Sequence, residues 1–203
     1  VENKTGKEGF FPNGNFTITD NFTAEKLDFS WIGVRGPREK FISITKKGLQ
    51  IAPFDVNIRE VKPTSTLFRR LQHSKFTSTV TLEYLPKTEK DLAGVVCYQK
   101  ESFNYVFGVT KKGKEYYIVL ERNEGRKPSV VLASTKIDVS KPIQLQVNGD
   151  GDNIQFNYAI NKAEFVNLGG QLSSDILTTN VAGGFTGSFI GLYATIKNDI
   201  VPQ

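Results

Sequence analysis

The feature that most constrains this fold is an alternation of apolar and polar side chains along short segments. It runs through residues 143–147 and again through residues 154–160, and the hexapeptide NGDGDN lies between the two runs. Such an alternation places every second side chain on one face of a β-strand. Because Gly and Asx residues favour tight turns, the sequence predicts an antiparallel β-hairpin here.

The rest of the chain repeats this pattern in segments separated by turn-forming residues. Residues 76–84 alternate in the same way, which predicts a strand with one buried face. We predict further strands at residues 41–45, 92–99, 104–110, 115–122, 129–133 and 188–195. No long helical pattern competes with them, and Val, Thr and the 15 Phe suit a pleated surface. The sequence therefore predicts an all-β fold, a two-sheet antiparallel β-sandwich.

Length and composition fit one such sandwich. A chain of 203 residues with 38% hydrophobic content can bury one sizeable core. Residues 1–14, VENKTGKEGFFPNG, show no periodicity, and we interpret them as a connector from a preceding domain. We expect a single β-sandwich domain over residues 15–203. The one cysteine, Cys97, lies in the apolar segment LAGVVCYQ and is predicted to be buried.

Charge and hydropathy exclude several classes of partner. The net charge is +5, but the basic residues are dispersed and their longest groupings are dipeptides such as Lys46-Lys47. Nucleic-acid binding requires basic residues gathered on one face or in one run, so we do not expect it. No apolar run approaches the ~18 residues that span a bilayer, so we predict no membrane span.

Few residues offer catalytic or metal-binding chemistry. His73 is the one histidine, and no nucleophile motif surrounds it, so we expect a structural role. The string Asp150-Gly151-Asp152-Asn153 is similar to part of a calcium loop, but the carboxylate required at the loop's end is missing, which favours a hairpin turn. No pair of carboxylates stands out as general acid and base. We therefore predict no catalytic residue, no metal and no cofactor in this chain.

Three segments carry a resemblance to a known family. They are LDFSWIGVRGPREKFISIT at residues 27–45, LFRRLQHSKFTSTVTLEYLP at 67–86 continuing into AGVVCYQKESFNYVFGVT at 93–110, and AGGFTGSFIGLYA at 182–194. Together they resemble the C-terminal β-sandwich domain of family 43 glycoside hydrolases, the β-xylosidases and arabinofuranosidases. The resemblance implies a jelly-roll sandwich of the concanavalin or laminin-G type. The family domain usually closes with one further strand, whereas this sequence ends in NDIVPQ. Either the chain is cut there or its terminal strand differs, and a missing strand would leave one sheet edge unpaired.

The same resemblance implies a function. The family sandwich packs against a five-bladed propeller that supplies the acid and the base, so this chain is expected to be an accessory domain that helps shape that propeller's active site. The substrate class implied is an oligosaccharide from xylan or arabinan side chains. In the family the aromatic residue of this loop lines the substrate pocket, which implies that role for Phe185 with Gly184 and Thr186. The alternative is that the Phe185 ring folds back and fills the end of its own sandwich, since Phe is usually buried. Further contacts with the propeller or the sugar are expected at Arg38, Arg70, His73 and Phe103.

Two alternatives stay open from the sequence. In the first, the chain is a stand-alone carbohydrate-binding module that stacks exposed aromatic rings, such as Trp31, Phe103 or Tyr105, on sugars. We expect Trp31 and Tyr105 to pack in the core instead, because both lie in segments predicted to be alternating strands. In the second, the chain is a structural spacer.

Overall fold

The computed structural model describes residues 16–202, and the predicted connector at residues 1–14 lies outside them. Thirteen strands account for most of the regular structure. They are β1 Ile32–Gly33, β2 Ile42–Thr45, β3 Gly48–Ile51, β4 Ser65–Arg70, β5 Lys75–Leu82, β6 Leu92–Lys100, β7 Phe103–Lys112, β8 Glu115–Glu124, β9 Val130–Ile137, β10 Ile143–Asp150, β11 Asn153–Ile160, β12 Val166–Ser173 and β13 Phe189–Thr195. One short helix, α1, covers Thr179–Ala182, and 3-10 turns cover Arg38–Lys40 and Asp175–Leu177.

The strands form two antiparallel sheets that face each other, which confirms the predicted sandwich. The larger sheet has seven strands in the order β1-β4-β13-β6-β7-β8-β9, and the smaller has four in the order β12-β11-β10-β5. β2 and β3 pair separately as a hairpin. Within residues 16–202, β5 pairs with β10 on one side and has no strand on the other.

The core lies between the two sheets. Its centre is made of fully buried side chains from both, including Phe107 and Leu120 of the larger sheet and Leu145 and Phe156 of the smaller. Because hydrophobic stabilisation grows with the apolar area removed from water, this layer is the main source of the free energy of folding. Cys97 lies here and is fully buried, as predicted.

A second apolar cluster covers the other face of the seven-stranded sheet. Val96 and Val119 point to this side of β6 and β8, and Ile58 and Ile200 cover them from the segments before β4 and after β13. The phenol of Tyr193 accepts a hydrogen bond of 2.9 Å from the backbone N–H of Ile58. The central strands are therefore buried on both faces, which is why β6 is a continuous apolar run rather than an alternating one.

The predicted hairpin and strand positions are confirmed. β10 and β11 pair from Ile143 opposite Ile160 to Asp150 opposite Asn153, and Gly151 at the tip has a φ of 67°. The predicted half-buried strand is β5, in which exposed and partly buried residues alternate. The prediction for Trp31 is wrong, because this residue precedes β1, lies in no strand and is half-buried. No helix in residues 16–202 is long and apolar enough to cross a membrane.

Candidate functional site

The loop after helix α1 holds the residues that the sequence singled out for contact with substrate. The helix ends at Ala182, where the N–H of Gly183 still donates to the carbonyl of Thr179 at 2.8 Å. Gly183 and Gly184 then have φ values of 74° and 87°, a region that residues with a Cβ disfavour. The chain reverses here and enters β13 at Phe189. We call residues 183–188 the Phe185 loop.

Arg70 fixes one side of the Phe185 loop. Its guanidinium, at the end of β4, donates a hydrogen bond to the backbone carbonyl of Thr186. The same guanidinium lies 4.8 Å from the centroid of the Phe189 ring, a cation–π distance. Beside it, the N–H of Leu71 donates to the carbonyl of Ser188 at 3.0 Å. The C-terminal half of the loop is therefore tied to β4.

Two residues at the end of β6 fix the other side. The Gln99 amide donates to the carbonyl of Gly183 at 3.3 Å, and the Lys100 ammonium donates to the carbonyl of Ala182. The Lys100 nitrogen also lies 4.9 Å from the centroid of the Phe103 ring. Side chains from β4 and β6 therefore hold the loop from both sides. They are the cations Arg70 and Lys100 and the amide Gln99.

Phe185 projects from this fixed base into solvent. Its side chain is fully exposed, at 104% of the reference value, and it belongs to neither apolar cluster. The ring therefore contributes nothing to the core of this domain. The exposed ring, on a backbone that several hydrogen bonds hold in place, is available to contact a partner or a ligand.

A groove lined by both polar and apolar residues begins at Arg70, beside the loop, and continues along the surface. It has a volume of about 920 Å3, and its lining includes Phe29, Ile32 and Ile18 together with Arg69 and Arg70. Phe29 is 87% exposed. Because Arg70 belongs both to the groove and to the base of the Phe185 loop, the two exposed aromatic side chains lie on one continuous surface.

Arg38 holds the chain segment that forms one wall of the groove. Its guanidinium donates to the carbonyl of Leu27 at 3.1 Å, to that of Asp28 at 2.6 Å and to that of Trp31. These bonds order the segment that carries Phe29. The structure therefore places Arg38 behind the groove wall, where its guanidinium bonds to that wall and to Glu39 rather than to the Phe185 loop.

His73 and Phe103 lie next to the loop on opposite sides. His73 lines a cleft of about 260 Å3 whose other walls include Thr178 and Ser188. Its exposed ring makes an edge contact with Phe16, with 5.3 Å between ring centroids. Phe103 is partly buried against the main core beneath Lys100. The structure brings Gly184, Phe185, Thr186 and Arg70 together, places His73 and Phe103 beside them, and separates Arg38.

The other aromatic candidates are engaged elsewhere. Tyr105 is buried between the sheets, as predicted, and its hydroxyl donates to the carbonyl of Ser173 at 2.9 Å. Burial raises the pKa of Tyr105 to about 12. The Trp31 indole N–H donates to Asp20 Oδ2 at 2.8 Å, and its ring lies 5.6 Å from that of Phe22. Tyr105 is inaccessible to a sugar ring.

The carboxyl group with a raised pKa lies away from this surface. Burial raises the pKa of Glu121 on β8, while hydrogen bonds with Ser129 and Asn123 oppose that rise. Glu121 lies opposite Val106, on the sheet face that Ile58 covers. The side chains that hold the Phe185 loop are Arg70, Gln99 and Lys100, none of which is a carboxylate. The loop can position and enclose a ligand, but the side chains that hold it supply no acid and base pair.

Sequence reasoning missed Gln99, Lys100 and Phe29. Gln99 and Lys100 end a strand that is buried on both faces, so no periodicity marks them as surface residues. Phe29 had a local signal, because Asp28 accepts a hydrogen bond of 2.8 Å from the N–H of Ser30 and so forms a turn around it. A large apolar residue at the centre of an Asx turn is expected to be exposed.

The fold and the exposed aromatic loop define a class of concanavalin-like sandwich domains, and comparisons with known proteins identify the family. Residues 19–199 match the family model described as the β-xylosidase C-terminal concanavalin A-like domain, so the chain belongs to that family. It corresponds to the C-terminal sandwich domain of family 43 glycoside hydrolases.

Individual relatives agree with this assignment. The chain is 24% identical to the non-reducing end α-L-arabinofuranosidase BoGH43B of Bacteroides ovatus, over 95% of the chain and 38% of that protein. A GH43_12 structure from a capybara gut metagenome matches with a TM-score of 0.87 and 46% identity, over 96% of the chain and 37% of its own. The xylan β-1,4-xylosidase of Bacillus halodurans C-125 shares the fold, with a TM-score of 0.80 and 19% identity, over 91% of the chain and 37% of its own. The chain therefore spans less than two-fifths of these relatives.

Proposed function

We propose that this chain is an accessory domain that completes the active site of a family 43 catalytic propeller, with Phe185 as the residue that reaches the substrate. The observation that carries the proposal is the fully exposed Phe185 ring on a loop held by Arg70, Gln99 and Lys100. The propeller is expected to supply the acid and the base, and the substrate class is an oligosaccharide of the xylan or arabinan side-chain type.

The physical role of Phe185 follows from its position. A ring fixed at the mouth of a neighbouring pocket excludes water from the sugar and limits the depth of the pocket for short oligosaccharides. It also helps to hold the substrate in a reactive orientation, which contributes to the rate without any proton transfer by this residue. Phe185 is therefore a substrate-shaping residue in this proposal, and Gly184 and Thr186 set its direction.

The groove beside the loop fits the partner in this proposal. Phe29 and Ile32 expose apolar surface next to Arg69 and Arg70. Exposed aromatic side chains and arginines are enriched at the centres of protein interfaces. The catalytic domain is expected to cover this groove while the Phe185 ring extends past the interface into the pocket.

Site-specific photocrosslinking tests the proposal directly. A benzoylphenylalanine residue is placed at position 185 in the enzyme that contains this chain, and the crosslinked peptides are identified by mass spectrometry. We expect crosslinks to peptides of the catalytic domain, and we expect an oligosaccharide inhibitor to reduce their yield. The matched control is the same residue at position 165, where Phe165 is also exposed. Crosslinking from position 165 to the propeller, with none from position 185, would contradict the proposal.

A further inference from the structure

The outer face of the four-stranded sheet presents an uncharged array of amides and hydroxyls, which we call the amide face. Strand pairing arranges it in cross-strand rows: Thr79, Gln146, Asn157 and Asn167 form one, Thr77, Asn148, Gln155 and Gln171 form the next, and Thr81 and Gln144 form the third beside Ala159. Asn157 and Ala159 are buried, so the most accessible groups belong to the threonines of β5 and to Asn167 and Gln171 of β12. None of these side chains is charged, although 23% of the residues in the chain are. The neighbouring row begins with Lys75 and Asp150, which pair with each other at 3.2 Å.

Hydrogen bonds between these side chains hold the amide face in one arrangement. Gln146 Nε2 donates to Thr79 Oγ1 at 3.3 Å, and Gln146 Oε1 accepts from Asn148 at 3.2 Å and from Asn157 at 3.4 Å. Asn167 continues the chain by donating to Asn157 Oδ1 at 3.0 Å. Side chains that are already ordered lose less conformational entropy when a ligand binds. The face is therefore preorganised for hydrogen bonding.

One amide oxygen on this face lacks a partner. Among the described residues, Asn148 Oδ1 is buried and accepts no hydrogen bond. Buried polar atoms without a partner are uncommon in folded proteins and call for an explanation. A ligand donor reaches this oxygen only when the side chains that shield it move, so the oxygen by itself does not mark a binding site.

The chemistry of the amide face selects the ligand. A protein partner requires apolar or aromatic anchors, and a nucleic acid requires cations, but the three rows contain neither. A neutral polymer rich in hydroxyl groups can both donate to and accept from amides and hydroxyls. Neighbouring strands lie about 4.8 Å apart, which is close to the repeat of one sugar residue along an extended pyranose chain. We infer that the amide face is a binding surface for neutral polysaccharide chains, separate from the Phe185 loop.

This inference goes beyond the proposed function and shares with it only the class of ligand. A polysaccharide held on the amide face would keep the enzyme near its substrate without entering the active site. The two ideas fail independently, because they concern different surfaces and different measurements. The crosslinking at position 185 tests the loop, and binding of the chain itself to a polymer tests the amide face.

Affinity electrophoresis of the 203-residue chain in gels that contain neutral arabinoxylan tests the inference. We expect retarded migration, with dissociation constants at least roughly 10-fold weaker in Gln146→Ala/Gln155→Ala, because two hydrogen-bonding groups are removed. The control Gln50→Ala, an exposed amide on β3, should migrate as the parent chain does. In a gel with polygalacturonate, a charged polymer, any retardation should be the same for the parent chain and for the double variant.

Circular dichroism and thermal unfolding must show that the double variant folds as the parent chain does, and a single Thr79→Ala variant provides a second test if it does not. Three outcomes would overturn the inference. The first is that the chain is retarded in none of three polymers, arabinoxylan, xyloglucan and mixed-linkage β-glucan. The second is that the parent chain and the variants are retarded equally. The third is that Phe185→Ala abolishes retardation while the amide variants leave it unchanged.

Discussion

The Arg70 guanidinium donates a hydrogen bond to the backbone carbonyl of Thr186, the residue that follows the exposed Phe185. This bond joins the end of β4 to a loop 116 positions later in the chain. It makes Arg70 the residue through which the sheet sets the direction of the Phe185 ring. Arg70 is thus a positioning residue in the proposed active site.

Arg70→Ala in the enzyme that contains this chain is expected to lower kcat/KM by roughly 5-fold, because the Phe185 ring loses its fixed position. Arg70→Lys keeps a cation and should recover part of that loss. The measurement is steady-state kinetics on an aryl xyloside or arabinoside. Arg126→Ala, at an exposed position in the β8–β9 turn, is the matched control. Equal effects of Arg70→Ala and Arg126→Ala would contradict the positioning role.

Gly184→Ala tests the backbone of the loop separately from its side chains. The residue has a φ of 87°, and an added Cβ meets nothing within 4 Å, so the cost comes from the backbone conformation alone. We expect a loss of about 1 kcal/mol in the free energy of unfolding and reduced catalytic efficiency. Gly113→Ala, at a φ of 58° in the open β7–β8 turn, should lose similar stability and keep full activity. Differential scanning fluorimetry and kinetics of both variants separate the two effects, and activity lost equally in both would refute the role of Gly184.

Glu121 predicts a pH dependence of stability. Burial raises the pKa of this carboxyl in the folded state above its value in the unfolded chain. Its contribution to stability is therefore complete below the unfolded pKa and is lost as pH rises through the folded pKa. Glu121→Gln removes the titration, so its melting temperature should fall less than that of the parent chain as pH rises above the ordinary pKa of Glu, about 4.3. Glu83→Gln, at an exposed site, is the control. Parallel pH profiles for the parent chain and Glu121→Gln would contradict this assignment.

Local sequence patterns predict the sandwich because each strand can be recognised from apolar and polar alternation and from turn residues within a few positions. The β10–β11 hairpin follows from alternation and one turn, and the turn that begins the Phe185 loop follows from Gly183 and Gly184. The prediction that Trp31 lies in a core strand is wrong because large aromatic and β-branched residues next to each other are typical of strands. In the structure the Trp31 indole instead donates a hydrogen bond to Asp20, outside any sheet.

The contacts that hold the Phe185 loop could not be predicted from local patterns. Arg70 and Lys100 meet the loop only because the larger sheet places β13 between β4 and β6. That order is a long-range property of the fold, and no spacing in the sequence encodes it. The amide face was equally hidden, since Gln146 and Asn157 become neighbours only through the register of β10 with β11.

The most direct test of the central claim is the kinetics of Phe185→Ala in the enzyme that contains this chain. We predict that kcat/KM on short xylosyl or arabinosyl substrates falls by roughly 10-fold or more, while the melting temperature stays unchanged, because the exposed ring positions substrate and does not pack in the core. Phe165→Ala, the same change at a partly exposed site of another loop, should leave kcat/KM unaltered. Unchanged kcat/KM for Phe185→Ala together with a large fall in melting temperature would contradict the account.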